Sequence, residues 1–449
     1  MAGIQTFVDE GLGHSSYLVD LGDGSAAILD PPRFPDAHLS VAAAAGTAVR
    51  WTIDTHSHAD YVTGSPALAA DGAVTFIAPA SSKLETPHRG VSDEERITLA
   101  PGVTLTAIAT PGHTPDHHVY LLDHGGTPAA LFSGGSLMVG AVGRTDLCGP
   151  EVAEPLAHEM FHSLRRLDRL PDDLAVYPTH GAGSFCSAPG GAERTTTLGR
   201  ERATNHLLRV DDEDTFVAQL LAGFGSFPTY FTRLPELNRR GPRRYAQLPQ
   251  LDRLDVDTTD RHVDAGALIV DVRPIADFAA GHVPGSMSNA LRPVFANWLG
   301  WLADLERPIV IVAGDDQARD EIIRQCLDIG HDNIVGELDG GVDAWRSAGR
   351  LITGIPLVDP DAIVGTVIDV RQHSEFETGH IPGAINIELG SLIHNRASDG
   401  PITVMCGHGE RAMTGASILT ARGHRDVSVL DGGPDTWAAS SGQPLAVGG

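Results

Sequence analysis

The feature that most restricts this chain is a repeat. The segment VDVRPIADFAAGHVPGS, from Val270, returns as IDVRQHSEFETGHIPGA, from Ile368, and LDGGVDAW, ending at Trp345, returns as LDGGPDTW, ending at Trp437. A period near one hundred residues is too long for a solenoid unit of ~20–50, so it marks two tandem copies of one small domain. In each copy an apolar segment passes through a polar loop to a helical stretch, and a second apolar run (Ile309 to Val312; Ile402 to Met405) leads to another helix. This alternation predicts α/β copies with parallel sheets, over 255–352 and 357–449. The Arg- and Pro-rich stretch from Asn238 to Gln250 reads as the linker before them.

Residues 1–245 read differently. Two strands in hairpin arrangement (SSYLVDL, SAAILDPP) open the segment, strand–loop–strand pieces follow at Val49–Asp54, Val74–Ala78 and Val103–Ala109, and Pro155 to Leu170 reads as a helix. This is an α/β layer domain with long loops at strand ends, where function usually sits. A formal charge of −26 argues against nucleic acid or an anionic membrane as partner. No run approaches the ~18 apolar residues of a membrane span, and MAGIQTFVDEGLGHSS has neither a basic nor an apolar leader region. Four cysteines (Cys148, Cys186, Cys326, Cys406) in 449 residues are no disulfide framework. A cytoplasmic protein with one or two working thiols is the expectation.

The stretch MCGHGERAMTGASIL puts Cys406 at the end of a strand and the start of a helix, so the amides of Gly407, His408, Gly409 and Glu410 converge on the sulfur. That field favours thiolate and suits a persulfide or a bound anion. Arg411 closes the loop. With DVR, GHIPGA and DGG…W around it, 357–449 resembles a rhodanese, which implies that Cys406 is a nucleophile that accepts sulfane sulfur and passes it on. Glu410 departs from loops suited to thiosulfate, so the donor expected is a low-molecular-weight persulfide. The first copy reads VAGDDQARD with Ala313 where the cysteine should stand, making 255–352 an inactive pseudo-rhodanese with Cys326 in its core.

A second constellation lies upstream. THSHADYVTG supplies His56, His58 and Asp60, TPGHTPDHH supplies His113, and YPTHGAGSFC supplies His180 and Cys186. Imidazoles gathered from strand-end loops make a zinc or iron site. This pattern resembles the metallo-β-lactamase fold, an αββα sandwich. The whole chain, with EGLGHSSYL, GRTDL, LGRERATN and NRRGP, resembles the persulfide dioxygenase–sulfurtransferase fusions, which join that fold to two rhodanese domains. The resemblance implies a mononuclear non-haem iron held by the first His of HxHxD, the His of PGHT and an aspartate in a TGD-like turn. It also implies self-association.

This chain departs from that pattern. The matching turn is LFSGGSLM with Gly135 at the carboxylate's position, and Tyr61 replaces a second-site histidine. The expectation is one mononuclear metal on His56, His58 and His113, Fe(II) ahead of Zn(II), with a metal-free binding pocket as the alternative. Asp60, Tyr61, Gly135, Asp146, His180 and Cys186 are expected around the metal or substrate, with Tyr61 as proton donor or lid. Asp146 is expected to fix a histidine tautomer or to pair with Arg144. The HExxH match at His158–His162 reads as a packing helix, His117 and His118 as structural, His14 as loop-orienting or surface, and His282 and His380 as structural. The leading reading is a sulfur-handling enzyme using a low-molecular-weight thiol or persulfide. The alternative is a sulfur donor whose N-terminal domain only binds.

Overall fold

The computed structural model describes residues 3–181, 184–186, 193–395 and 400–448. Packing divides it into two units, Met1–Ala246 with Leu327–Gly330, and Gln247–Cys326 with His331–Gly449.

In the first unit two six-stranded sheets lie face to face. One runs Ile4–Asp9, His14–Asp20, Ser25–Leu29, Ala48–Ile53, Thr75–Pro79, Arg89–Val91; the other runs Thr196–Thr197, Ala175–Pro178, Thr127–Gly134, His118–His124, Val103–Ala109, Arg96–Ala100. Apolar side chains on their inner faces, among them Tyr17, Leu29, Ile53, Leu105, Tyr120 and Phe132, form the core. The outer faces are covered by helices, Asp36–Ala44 on the first sheet and Pro150–Arg165 with Glu213–Ala222 on the second. This is the αββα sandwich expected. The helix expected from Pro155 begins earlier, because Gly149 (φ 121°) turns the chain into Pro150 at the first helical position. A proline there forfeits no hydrogen bond. The loops that leave the strands at Ile53, Ala109 and Pro178 carry the histidines, and the one at Gly134 brings Gly135 beside them.

The supposed linker begins inside this unit. Asn238, on the helix Leu234–Arg240, is buried; its Nδ2 donates to the carbonyls of His58 and Tyr61, and its Oδ1 accepts from Thr63 N–H. An Arg- and Pro-rich composition hid a side chain that staples the HxHxD loop.

The second unit contains two five-stranded sheets in which every pairing is parallel. Their orders correspond: Arg253–Leu254, Ile334–Leu338, Ile309–Val312, Leu268–Asp271, Met287–Ser288 in one, and Leu357–Val358, Val427–Leu430, Ile402–Met405, Thr366–Asp369, Ile385–Asn386 in the other. The copies pack on each other. Ser288 N–H donates to Ser417 Oγ (3.1 Å), and the Trp301 indole covers Gly390. No helix of the described residues is long and apolar enough to cross a membrane.

Candidate metal centre and sulfur loop

His56, His113 and His180 offer nitrogen atoms that all lie within 4.8 Å of one another, and all three residues are buried. His56 and His113 have their far nitrogens hydrogen-bonded, and that of His180 lies beside a carboxylate. His56 Nδ1 contacts Thr55 Oγ1 (2.8 Å), whose hydroxyl donates to Asp30 (2.9 Å) and so accepts the imidazole proton. His113 Nδ1 donates to the Arg144 carbonyl (2.9 Å). His180 Nδ1 lies 3.1 Å from Asp60 Oδ2. The three Nε2 lone pairs therefore face one point, with His56 and His180 Nε2 3.3 Å apart. At that distance one nitrogen donates to the other or both lone pairs take a cation between them, and the far-nitrogen partners of His56 and His113 are of the kind that orient metal-binding histidines. The residues fit a metal ion.

Electrostatics agree. Burial, reinforced by neighbouring histidines, pushes His56 well below its ordinary value and His113 down to about 3. Both rings are thus neutral ligands at any physiological pH. Burial works against the Asp60 carboxylate, yet His180, His58 and His14 hold it well below the usual range.

His58 does not join this trio. Its Nε2 is taken by Asp30 Oδ1 (3.2 Å). Burial opposes charge on that ring, but Asp30, Asp54 and Asp60 raise its proton affinity. The structure thus gathers His180 where the sequence suggested His58, and His58 falls into two other buried groups, with Asp60 and His180 and with Asp30 and Asp54.

In the second unit Cys406 follows the strand Ile402–Met405 and is 1% exposed. Gly409 N–H donates to its Sγ (3.1 Å), and the helix Glu410–Ala421 starts there, Gly409 taking φ 102°. Arg411 does not close on the sulfur. Its guanidinium makes a paired contact with Glu375 (2.6 and 2.8 Å) from the helix His373–Thr378. In the first copy, where Ala313 replaces the cysteine, Arg319 donates to the Gly314 and Gln317 carbonyls of the loop and to Glu337 (2.8 Å).

The hydroxyacylglutathione hydrolase of Chromohalobacter salexigens is 30% identical over 190 residues, covering 37% of this chain and 71% of its own. The chain belongs to the metallo-β-lactamase-fold family of these hydrolases. The hydroxyacylglutathione hydrolase of a Methylobacterium species matches along 100% of its length at 28% identity, over 54% of this chain. The rhodanese-like domain family matches at 255–348 and 357–440. A crystal structure of a metallo-β-lactamase from Staphylococcus aureus superposes with a TM-score of 0.67 at 27% identity, covering 75% of this chain and 98% of that one. A metallo-β-lactamase-fold domain followed by two rhodanese-like domains is therefore this chain's architecture.

Against that family frame the remaining candidates fall into place. Gly135 abuts the His113 ring so closely that a Cβ there would sit 2.2 Å from Cδ2 and 2.6 Å from Nε2. A side chain at 135 and this position of His113 are mutually exclusive. Tyr61 is buried between His58 and His14 (ring centroids 4.4 and 4.1 Å), and its hydroxyl donates to the Asp30 carbonyl (3.2 Å). It is packed as a wedge between the two rings, and His14 is buried with it. Asp146 grips Arg144 (2.7 and 2.9 Å), whose carbonyl in turn orients His113. Cys186 is fully buried, and burial, then Asp60, pushes its thiol up; Ala182 and Gly183 of its motif lie outside the described residues.

His117, expected to be structural, stands beside the histidine cluster. Its Nε2 accepts from Gly135 N–H (2.9 Å), and its ring lies 5.0 Å from that of His56. Asp30 was missed altogether, although it anchors Thr55, Thr179 and His58. Its signal was an aspartate before two prolines at a strand end, here in the left-handed region at φ 49°. His158 and His162 both point at Glu213 from a neighbouring helix (2.6 and 3.1 Å), which pins helices on the surface. His282 and His380 stack on Phe278 and Phe376 (3.8 and 3.7 Å), the same role in both copies.

Proposed function

We propose that this protein is a sulfur-handling enzyme: Cys406 takes up sulfane sulfur as a persulfide, and the N-terminal domain holds one metal ion on His56, His113 and His180 and works on a low-molecular-weight thiol or persulfide. The observation that carries the first part is the Gly409 N–H aimed at Cys406 Sγ at a strand–helix turn. A backbone donor at a helix N-terminus stabilises negative charge on sulfur, in the thiolate and in the persulfide that replaces it. Low exposure of Cys406 keeps the carried sulfur from adventitious thiols.

In the N-terminal site the convergent Nε2 atoms support metal binding. A bound divalent iron would supply oxygen chemistry at a persulfide, as the resemblance to persulfide dioxygenases implies, whereas zinc would supply Lewis acidity alone. The residues of this chain do the rest. Arg144 and Thr55 fix the tautomers, Asp60 backs His180, and the buried aspartates offset the packed imidazoles. The absence of a carboxylate at 135 favours a second reading, in which the domain binds thiol or persulfide without oxidising it.

Elemental analysis of protein purified without added metal, with oxygen uptake on persulfide, separates these readings. Stoichiometric iron and uptake at least tenfold above that of His113→Ala support oxidation. Metal-free protein that still forms a Cys406 persulfide by mass spectrometry supports the second. Absence of any Cys406 persulfide removes both.

A further inference from the structure

The first rhodanese-like copy has no nucleophile, yet it is packed against the sulfur loop of the second. Ser288 is bonded to Ser417, on the helix that follows Cys406. Gly409 of the loop faces Ile275 so closely that a Cβ there would come within 2.9 Å of Ile275 Cδ1. Arg292 stands four residues beyond Ser288, and its neighbour Leu291 bonds back to the carbonyl of Val272, three residues before Ile275. Its guanidinium makes no side-chain hydrogen bond or ion pair with any of the described residues, and its Nε is buried without a partner. Arg292 is half-buried, and its Nε lacks the partner that a buried donor calls for. Burial, the largest effect, and Arg411 weaken the hold of Arg292 on its proton, while Glu410 and Cys406 strengthen it. Arg411 itself is already occupied by Glu375. Among these, Arg292 is the guanidinium left for an incoming molecule.

We propose that Arg292 seats the anionic group of the donor from which Cys406 takes sulfur, and that the donor is a low-molecular-weight persulfide bearing a carboxylate. This rests on the reading of Cys406 as sulfur acceptor. The Cys406 thiolate attacks the terminal sulfur of R–S–SH, a new S–S bond forms at Cys406, the original S–S bond breaks, and R–S⁻ leaves with the electron pair. No net oxidation occurs and no co-reactant is needed. Arg292 acts on R and not on the sulfur, so it sets specificity. Glu410, near the same guanidinium, limits the negative charge the site accepts and favours a monoanionic donor over a dianion such as thiosulfate.

The test uses the full chain and a matched pair of donors, the persulfides of 3-mercaptopropionate and of 2-mercaptoethanol, which differ in the carboxylate. The ratio of their kcat/KM values is expected to fall roughly tenfold in Arg292→Ala, mainly through KM for the carboxylate donor, and to recover in part in Arg292→Lys. If Arg292→Ala does not fold, Arg292→Gln reads the same ratio. An unchanged ratio, with Cys406 still persulfidated, overturns the role of Arg292 alone. Failure of Cys406 to take sulfur from either donor overturns the underlying reading and this inference with it.

Discussion

Single residues in this molecule are defined by what their neighbours leave open. Gly135 is the clearest case. The sequence shows that a carboxylate is missing, and the structure shows that the His113 ring stands where its Cβ would go. Restoring the acid is therefore not a restoration. Gly135→Asp should displace His113, destabilise the domain by about 1–3 kcal/mol as overpacked sites do, and lower metal content relative to the parent. Higher metal content at unchanged thermal stability would refute this account. Glu375 makes a similar point in the second unit. Burial works against its charge, but Arg411 lowers its proton affinity, and Glu375→Gln should leave Arg411 without its anion. The pair is partly open to solvent, so stability should change by no more than about 1 kcal/mol. Sulfur uptake by Cys406 should still change, because the freed guanidinium is next to the loop. The measurement is the rate of persulfidation in wild type and variant.

At the scale of elements, helices and loops are pinned by buried polar contacts as well as by apolar packing. The helix Asp36–Ala44 is held to its sheet by His38, which meets Ser16 Oγ (2.8 Å) and stacks on Phe7 (3.9 Å). Burial, then His14, lowers His38 to about 4. The unfolded chain takes up a proton near pH 6.5 that the folded one refuses, so this contribution is complete above pH 6.5 and is lost as pH falls toward 4. Between pH 7 and pH 5 wild type should lose about 2 kcal/mol more than His38→Gln, read from denaturant midpoints of the two proteins. Parallel pH slopes would show that His38 is already protonated in the fold. The strand–loop–helix unit around Cys406 was legible from sequence because everything that defines it is local: an apolar run, a glycine loop, a helix start. The grouping of His56, His113 and His180 was not, because His58 belongs to the same motif as His56 and only the position of Asp30 shows that its Nε2 is already bonded.

For the whole molecule, the repeat in the second unit has become a division of labour. One copy keeps the thiol and the other supplies a wall beside it. Their seam includes Gly390, which lies flat against the Trp301 indole, so that an added Cβ would overlap the ring. Gly390→Ala should push the copies apart, lower the melting temperature, and reduce transfer from 3-mercaptopropionate persulfide more than from 2-mercaptoethanol persulfide. Equal effects on the two donors would mean that the seam stabilises the fold without shaping the site.

Resemblance to known families implied the sandwich and the loss of the nucleophile at Ala313, while the sequence by itself determined the two α/β copies, the layered α/β domain ahead of them and the loops that bear the histidines. These follow from hydrophobic periodicity and short motifs, which act between residues close along the chain. Tertiary structure alone decided which imidazoles share a centre, that Tyr61 is a wedge, that Asn238 staples a loop some 180 positions earlier, and that Ile275 of one copy meets the sulfur loop of the other. Those outcomes depend on desolvation and hydrogen bonding between groups distant in sequence. Their energies are set by which lone pairs and protons are left unpaired once the chain has folded, and no spacing along the chain records that.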